Sequence, residues 1–177
     1  MEGYTTMLLE IDEQLRGVEP NVIVIPCGVG SLAQAVVTHY KNKTNRSSPT
    51  AVLTVEPRTA GSLHESLKAG TSLSISTSST IMTGLECGTI STAAWPVLKE
   101  GVDVSVTVSD SEVHEAVLEL ERAGVGAGPC GAAALAGLRF VASVDSKLLH
   151  FGLDEESVVV LICTEGEREY AVPVRED

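Results

Sequence analysis

The sequence predicts a three-layer α/β domain with a mostly parallel sheet of four or more strands. Of its 177 residues, 44% are hydrophobic and only 3% are aromatic. The core must therefore be built from Val, Leu, Ile and Ala, as in parallel sheets that helices cover on both faces. Runs rich in β-branched residues alternate with helical patterns, which is the order of a βαβ protein. The length suits a single domain, 1–177, and the hydrophobic content excludes a disordered chain.

Strands are expected at four runs: Val22 to Ile25, Ala51 to Val55, Val102 to Val108 and Val158 to Ile162. The first, second and fourth runs are apolar at successive positions, which predicts burial on both faces. The third run alternates apolar residues with Asp103, Ser105 and Thr107, so it suits a half-exposed or edge strand.

Helices are expected over residues 5–15, 31–39, 111–123 and 131–141. The third has one apolar face and can be capped by Ser109 or Asp110. The fourth is rich in Ala and small enough to pack closely. Residues 70–80 are rich in Ser and Thr but carry no charge, which favours a structured loop over a linker.

The charge and the cysteines limit where the protein acts and what it binds. The formal net charge is -12, and an acidic surface repels phosphate backbones, so nucleic acid is not expected as a partner. The sequence has no apolar stretch of about 18 residues, so no membrane span is expected. The four cysteines lie far apart and form no CxxC pair. They are interpreted as free thiols in a reducing compartment, by default the cytoplasm.

The most informative segment is NVIVIPCGVGSLAQAVV, beginning at Asn21. A buried strand ends at Pro26, the residues Gly28, Val29 and Gly30 (the glycine loop) make a tight turn, and a helix begins near Ser31. Such a turn directs backbone N–H groups and a helix N-terminus at one point, which favours a phosphate. A side chain at Gly30 is expected to occupy the position of the anion. The alternative is a strand-to-helix turn that uses glycine for its geometry alone.

The same segment also partly fits a nicotinamide-dependent oxidoreductase. Dinucleotide folds need GxGxxG and an acid about 20 residues further on. Here Ala33 replaces the third glycine and Glu56 ends the next strand. Against this hypothesis, a helix precedes the loop, and Pro57 after Glu56 suits a structural turn. A monophosphate fits the loop equally well.

Six segments in order resemble the C-terminal half of diaminopropionate ammonia-lyase, a pyridoxal-phosphate enzyme of the tryptophan-synthase-β-like family (fold type II). They are MEGYTTMLLEIDEQL, VIVIPCGVGSLAQAVV, AVLTVEP, TIMTGLECGTISTAAWPVL, GPCGAAALAGL and VVVLICTEG. The resemblance covers nearly the whole chain. It implies the large domain of that fold, pyridoxal phosphate as the cofactor, and α,β-elimination on 2,3-diaminopropionate or a similar small amino acid.

The resemblance also implies cofactor-binding residues. The family's glycine loop binds the cofactor phosphate, which carries over to Gly28, Val29, Gly30, Ser31 and Leu32. The segment containing Gly84 is similar to the one packed beside the cofactor ring. The family's Gly-Glu-Ser-Gly segment, whose serine faces the pyridine nitrogen, corresponds to residues 128–131. There Pro129 replaces the acid and Cys130 the serine, and a thiol is a weaker hydrogen-bond donor than a hydroxyl.

The resemblance places the Schiff-base lysine in the N-terminal half of the family's fold, which this sequence does not match. All five lysines here are expected to face solvent: Lys41, Lys43, Lys68, Lys99 and Lys147. Pyridoxal phosphate is therefore expected to bind weakly or not at all, and no catalytic residue or metal ligand is assigned. The remaining hypotheses are a lyase lacking its lysine, a non-catalytic phosphate- or partner-binding module, and the nicotinamide enzyme. Apolar surface left uncovered predicts a homo-oligomer or a complementing chain.

Two further expectations concern charged and titratable residues. His64 lies beyond the end of a predicted strand, where α/β sites form, so it is a weak site candidate beside the simpler interpretation as a surface histidine. The tail from Glu165 to Asp177 is expected to be acidic surface.

Overall fold

The computed structural model describes residues 2–42, 49–143 and 153–174. Within these residues four parallel strands form one sheet in the order β3-β2-β1-β4. The strands are β1 (Val22–Pro26), β2 (Ala51–Pro57), β3 (Val104–Val108) and β4 (Val159–Leu161). The helices are α1 (Glu2–Gln14), α2 (Ser31–Lys41), α3 (Ser62–Ala69), α4 (Trp95–Gly101), α5 (Asp110–Arg122) and α6 (Pro129–Ser143). The predicted α/β class with a parallel sheet is confirmed.

Helices cover both faces of the sheet because side chains along a strand alternate in direction. Val22, Val24 and Leu53 lie in one buried cluster, which includes residues of α5 and α6. Ile23 and Ile25 lie in a second cluster with residues of α1, α2 and α4. The successive apolar positions of β1 and β2 thus serve two cores, and both strands are buried throughout.

The Ala-rich helix α6 packs closely on the sheet, as its composition predicts. Most of its first nine residues are buried. At Gly137 a Cβ atom would overlap the side chain of Val55 on β2. The absence of a side chain there lets the helix approach the strand.

The prediction for β4 is wrong in one respect. The run at 158–162 was expected to be buried on both faces, but the three residues of β4 are only half-buried. Among the described residues β4 pairs with β1 alone, so it is an edge strand. At the other edge lies β3, and there the alternating pattern predicted the position correctly.

Two short helices, α3 and α4, were not predicted. Each has eight residues or fewer, so neither repeats an apolar face often enough to give a periodic signal. The expected cap of α5 is confirmed, because the Ser109 hydroxyl accepts a hydrogen bond from the N–H of Glu112. The polar loop at 70–80 is structured, since the N–H of Ile75 donates to the carbonyl of Gly88 at 2.8 Å.

The described part of the chain contains no helix with the length and apolarity that crossing a membrane requires. None of the four cysteines forms a disulfide, as expected.

Candidate functional site

A cavity of about 200 Å³ lies at the carboxyl end of β1. Every residue that the sequence predicts as cofactor-binding lines it, although they come from three separate segments. These are Gly28, Val29, Gly30, Ser31, Leu32, Gly84 and Cys130. Tyr4 of α1 and Thr164, just after β4, line the same cavity and were not predicted. Both residues lie in segments that carry the resemblance, MEGYTTMLLEIDEQL and VVVLICTEG, but no individual role was assigned to them from the sequence.

The glycine loop presents backbone donors to this cavity. No described residue accepts a hydrogen bond from the N–H groups of Gly28, Gly30 or Ser31. Ser31 is the first residue of α2, an eleven-residue helix whose N-terminus carries partial positive charge. Backbone N–H groups that lack a hydrogen-bond acceptor, next to a helix N-terminus, make a binding site for an anion.

A side chain at each glycine of the loop would meet a different obstacle. A Cβ atom at Gly28 would lie 3.2 Å from the carbonyl oxygen of Gly84 and 3.3 Å from Sγ of Cys87. Gly30 has a φ of +93° and leads into α2. A Cβ atom there would lie 2.7 Å from Cδ1 of Leu98 on α4. The expectation that a side chain at Gly30 would fill the anion position is therefore wrong, because that position faces the core.

The opposite wall of the cavity brings Gly84 and Cys130 together. Gly84 lies in a 3₁₀ turn, Thr83–Leu85, and Cys130 is the second residue of α6. A Cβ atom at Gly84 would lie 3.3 Å from Sγ of Cys130. Burial raises the pKa of the Cys130 thiol, more than the Gly84 N–H lowers it. The thiol is therefore protonated at neutral pH.

Glu165 supports this wall, so the prediction that it is acidic surface is wrong. Its side chain is 24% exposed. One carboxylate oxygen accepts the N–H of Cys130 at 2.6 Å, and the other accepts Nε of Arg168 at 2.9 Å. The acidic composition of the tail concealed this, although Glu165 lies in VVVLICTEG, one of the segments that carry the resemblance.

Glu56 is not available to a ribose. Its side chain is fully buried, and its two oxygens accept the N–H groups of Leu63 and His64 at 2.8 and 2.7 Å. Burial raises its pKa to about 7, against the lowering effect of these bonds. Glu56 thus caps the N-terminus of α3, which the sequence did not predict as a helix.

His64 does not line the cavity. Its Nδ1 atom lies 2.9 Å from the carbonyl oxygen of Ser105 on β3. Burial lowers its pKa, with the Lys68 charge adding to the effect. Its weak candidacy as a site residue finds no support in this geometry.

None of the described lysines lines the cavity. Lys41 pairs with Asp103 at 2.6 Å, Lys68 pairs with Glu65 at 3.0 Å, and Lys99 donates to the carbonyl of Gly70. Lys68 and Lys99 are exposed, as expected, whereas the side chain of Lys41 is half-buried. Lys43 and Lys147 lie outside the described residues.

Comparison with known proteins identifies the family. The sequence model of the family of pyridoxal-phosphate-dependent enzymes matches residues 1–165 of this chain. The chain belongs to the pyridoxal-phosphate-dependent enzyme family. Diaminopropionate ammonia-lyase of Salmonella typhimurium is 29% identical over 116 residues, covering 62% of this chain and 28% of that protein. The biosynthetic L-threonine dehydratase of Mycobacterium leprae is 32% identical over 139 residues, covering 77% of this chain and 32% of that protein.

Solved structures share the fold. Holo diaminopropionate ammonia-lyase from Escherichia coli is 26% identical with a TM-score of 0.79, over 93% of this chain and 43% of that chain. Maize serine racemase is also 26% identical with a TM-score of 0.79, over 94% of this chain and 48% of that chain. The resemblance to diaminopropionate ammonia-lyase and to fold type II is confirmed, and pyridoxal phosphate is the cofactor of the family.

The chain spans about half the length of these structures and about a third of the curated relatives it matches. The residues present fit one part of the cofactor. The unaccepted N–H groups at the N-terminus of α2 suit its phosphate, and Gly28 keeps the loop free of a side chain. The lysine to which such cofactors bond covalently is not among the described residues of the cavity.

Proposed function

We propose that this polypeptide forms the phosphate-binding half of a pyridoxal-phosphate-dependent lyase. The lyase would eliminate a β-substituent from a small amino acid such as 2,3-diaminopropionate. One observation carries the proposal: three distant segments meet at one cavity, and among its lining residues are Gly28, Gly30 and Ser31, whose N–H groups have no acceptor among the described residues. The family membership and the similarity to ammonia-lyase support it.

The glycine loop and α2 would hold the cofactor phosphate. No Lys or Arg is among the residues that line the cavity, so the phosphate charge would be balanced by N–H dipoles and the helix N-terminus. In favourable, partly buried geometry a helix terminus stabilises a charge by up to about 2 kcal/mol. The hydroxyl of Ser31 is one more donor.

Cys130 would face the nitrogen of the cofactor ring. Its buried thiol is protonated, so it can donate a hydrogen bond to a neutral ring nitrogen. Gly84 leaves room for a flat ring beside that thiol, because no side chain extends from it. When bound, the cofactor supplies an electron sink for the elimination.

The reactive lysine would come from a complementing segment or chain, and the fold has a place for one. A groove of about 420 Å³ lies between α1 and β4 (the α1–β4 groove); Met7, Ile11 and Leu161 are among its lining residues. Among the described residues nothing pairs with the outer edge of β4. An open edge beside apolar side chains favours an added strand, supplied by a complementing chain or by a second copy of this one.

The absence of disulfides favours a cytoplasmic setting.

Binding of pyridoxine 5′-phosphate tests the site without requiring a lysine. We expect the wild-type chain to bind it more tightly than it binds pyridoxine, because the phosphate occupies the loop. Gly28→Val should weaken binding at least about tenfold by closing the loop against Gly84. Gly3→Ala is the control, since a Cβ atom there meets nothing within 4 Å. Equal affinity for the two ligands would contradict the phosphate assignment.

The absence of a lysine from the described cavity favours a second candidate, a non-catalytic binding module. Borohydride reduction separates the two candidates. The chain alone should retain no reduced cofactor on a unique lysine and release no ammonia from 2,3-diaminopropionate. Adding the N-terminal half of diaminopropionate ammonia-lyase should restore ammonia release. If cofactor binds but this complementation yields no turnover, the binding module is correct.

A further inference from the structure

We infer that Glu165 and Arg168 are positioning residues, which together hold the cavity wall that carries Gly84 and Cys130. The inference rests on the proposed function for its catalytic meaning. The arrangement itself stands on contacts between three segments that are distant in the sequence.

The first set of contacts joins the C-terminal segment to the beginning of α6. The carboxylate of Glu165 accepts the N–H of Cys130, and its carbonyl accepts the N–H of Gly128 at 3.1 Å. The approach is close on both sides of Cys130. A Cβ atom at Gly128 would lie 2.5 Å from the Glu165 carboxylate, and one at Gly131 would lie 2.7 Å from its carbonyl oxygen. Cys130 is thus fixed through its own backbone.

The second set joins the same segment to the turn that carries Gly84. Arg168 donates from Nη2 to the carbonyl of Ile81 at 2.6 Å and to Oγ1 of Thr83 at 3.4 Å. Its Nε atom meanwhile donates to Glu165. One planar guanidinium therefore bonds two segments at once, which a single ammonium group could not do with the same geometry.

These contacts converge on the cavity. Gly84 follows Thr83, Cys130 is bonded to Glu165, and Thr164 precedes Glu165; all three line the cavity. The two charged groups also act on the thiol. Burial and the Glu165 charge raise the pKa of Cys130, while the Gly84 N–H and the Arg168 charge lower it. One ion pair thus contributes both to the position of the Cys130 thiol and, after burial and the Gly84 N–H, to its pKa.

Alkylation of Cys130 by iodoacetamide, followed site by site with mass spectrometry over a range of pH, tests the inference without any cofactor. In Arg168→Met the limiting rate of Cys130 alkylation at high pH should rise about fivefold, because the wall loosens and the thiol becomes more accessible. The pKa of Cys130 should also rise, because a nearby positive charge is lost. In Glu165→Gln that pKa should fall instead. Opposite shifts from two variants of one pair are not the result of general destabilisation.

Arg168→Lys provides a second, milder variant in case Arg168→Met does not fold. It keeps the charge, so the pKa of Cys130 should stay near the wild-type value while the limiting rate still rises. Arg139→Met is the matched control, because Arg139 lies on α6 and pairs with Glu119 away from the cavity. It should leave the limiting alkylation rate within about twofold of the wild type and should not shift the pKa of Cys130.

Unchanged alkylation rates and pH profiles in Arg168→Met and Arg168→Lys would overturn the inference. If the profiles shift as expected but pyridoxine 5′-phosphate does not bind the wild-type chain, the positioning role stands and the proposed function fails. If pyridoxine 5′-phosphate binds the wild-type chain but the pH profiles of the variants do not move, the proposed function stands and the positioning role fails.

Discussion

At the residue scale, Glu56 shows how one buried carboxylate can organise the strand end near a site. It lies at the carboxyl end of β2, and the strand residue beside it, Val55, accepts the N–H of Cys27. Its oxygens bond to the first turn of α3. Because it is fully buried, its charge is costly, and its pKa rises to about 7.

This raised pKa predicts a pH dependence of stability. The folded-state pKa of about 7 exceeds the ordinary value of 4.5, so the folded protein binds more protons between these values. The contribution is fully present below pH 4.5 and is lost as pH rises through 7, amounting to about 3 kcal/mol. Urea unfolding from pH 4 to 8 should show the wild type losing stability relative to Glu56→Gln. Parallel curves for the two proteins would refute a shifted pKa.

Gly30 supports a second prediction at this scale. Gly30→Ala combines a left-handed φ with a contact to Leu98, so it should destabilise the fold by about 2–3 kcal/mol. Gly124→Ala is the control, because it has a similar φ of +79° but open space around its Cβ position. It should cost only about 1 kcal/mol. Equal losses in urea unfolding would mean that the Leu98 contact costs nothing.

At the element scale, the contact between α6 and β2 determines how close α6 lies to the sheet. It therefore also determines the position of the first turn of α6, which lines the cavity. Buried alanines and Gly137 form the face of α6 that meets the strands. Val55 fills the space that a side chain at Gly137 would need. The position of Cys130 at the beginning of the helix therefore depends on a small residue two turns away.

Gly137→Ala tests this contact by the sign of its effect. In a helix open to solvent the change stabilises by about 1 kcal/mol through propensity alone. Here the overlap with Val55 should reverse the sign and destabilise by about 1–2 kcal/mol. In a Val55→Ala background, where the overlapping side chain is shortened, Gly137→Ala should destabilise the protein less than it does in the wild type. A stabilising Gly137→Ala in thermal unfolding would show that α6 can move away at no cost.

At the whole-molecule scale, the sheet is open at both edges among the described residues, but the two edges differ. The β3 edge alternates polar and apolar residues, whereas β4 is entirely apolar and lies beside the α1–β4 groove. An apolar edge of this kind tends to pair with another strand. The proposed association with a complementing chain or a second copy should therefore use β4.

Light scattering tests this association. The chain alone should form dimers or larger assemblies at high concentration. Val160→Lys, at the centre of β4, should shift it towards monomer because a charge on the edge opposes strand pairing. The control is Thr107→Lys on β3. A wild-type chain that stays monomeric at high concentration would count against the proposal.

The sequence predicted much of this fold because its strongest signals are local. The β-branched runs of β1 and β2 and the glycine loop each fix a structure within a few residues. The roles of Glu165 and Glu56 could not be predicted, since they depend on partners at Cys130 and in α3 that only the tertiary structure brings near. The seven predicted residues line one cavity, but their binding of the cofactor remains a prediction.

The pairing of β1 with β4 has a consequence for how the chain folds. At this junction the N–H of Val158 bonds to the side chain of Asn21, 137 positions earlier. The central strand thus lacks one neighbour until a segment 137 positions further along the chain has been synthesised. Contacts of such long range slow folding. In the meantime the exposed flank of β1 is a hydrophobic target for chaperones, so synthesis rate and chaperone supply should govern the yield of native protein.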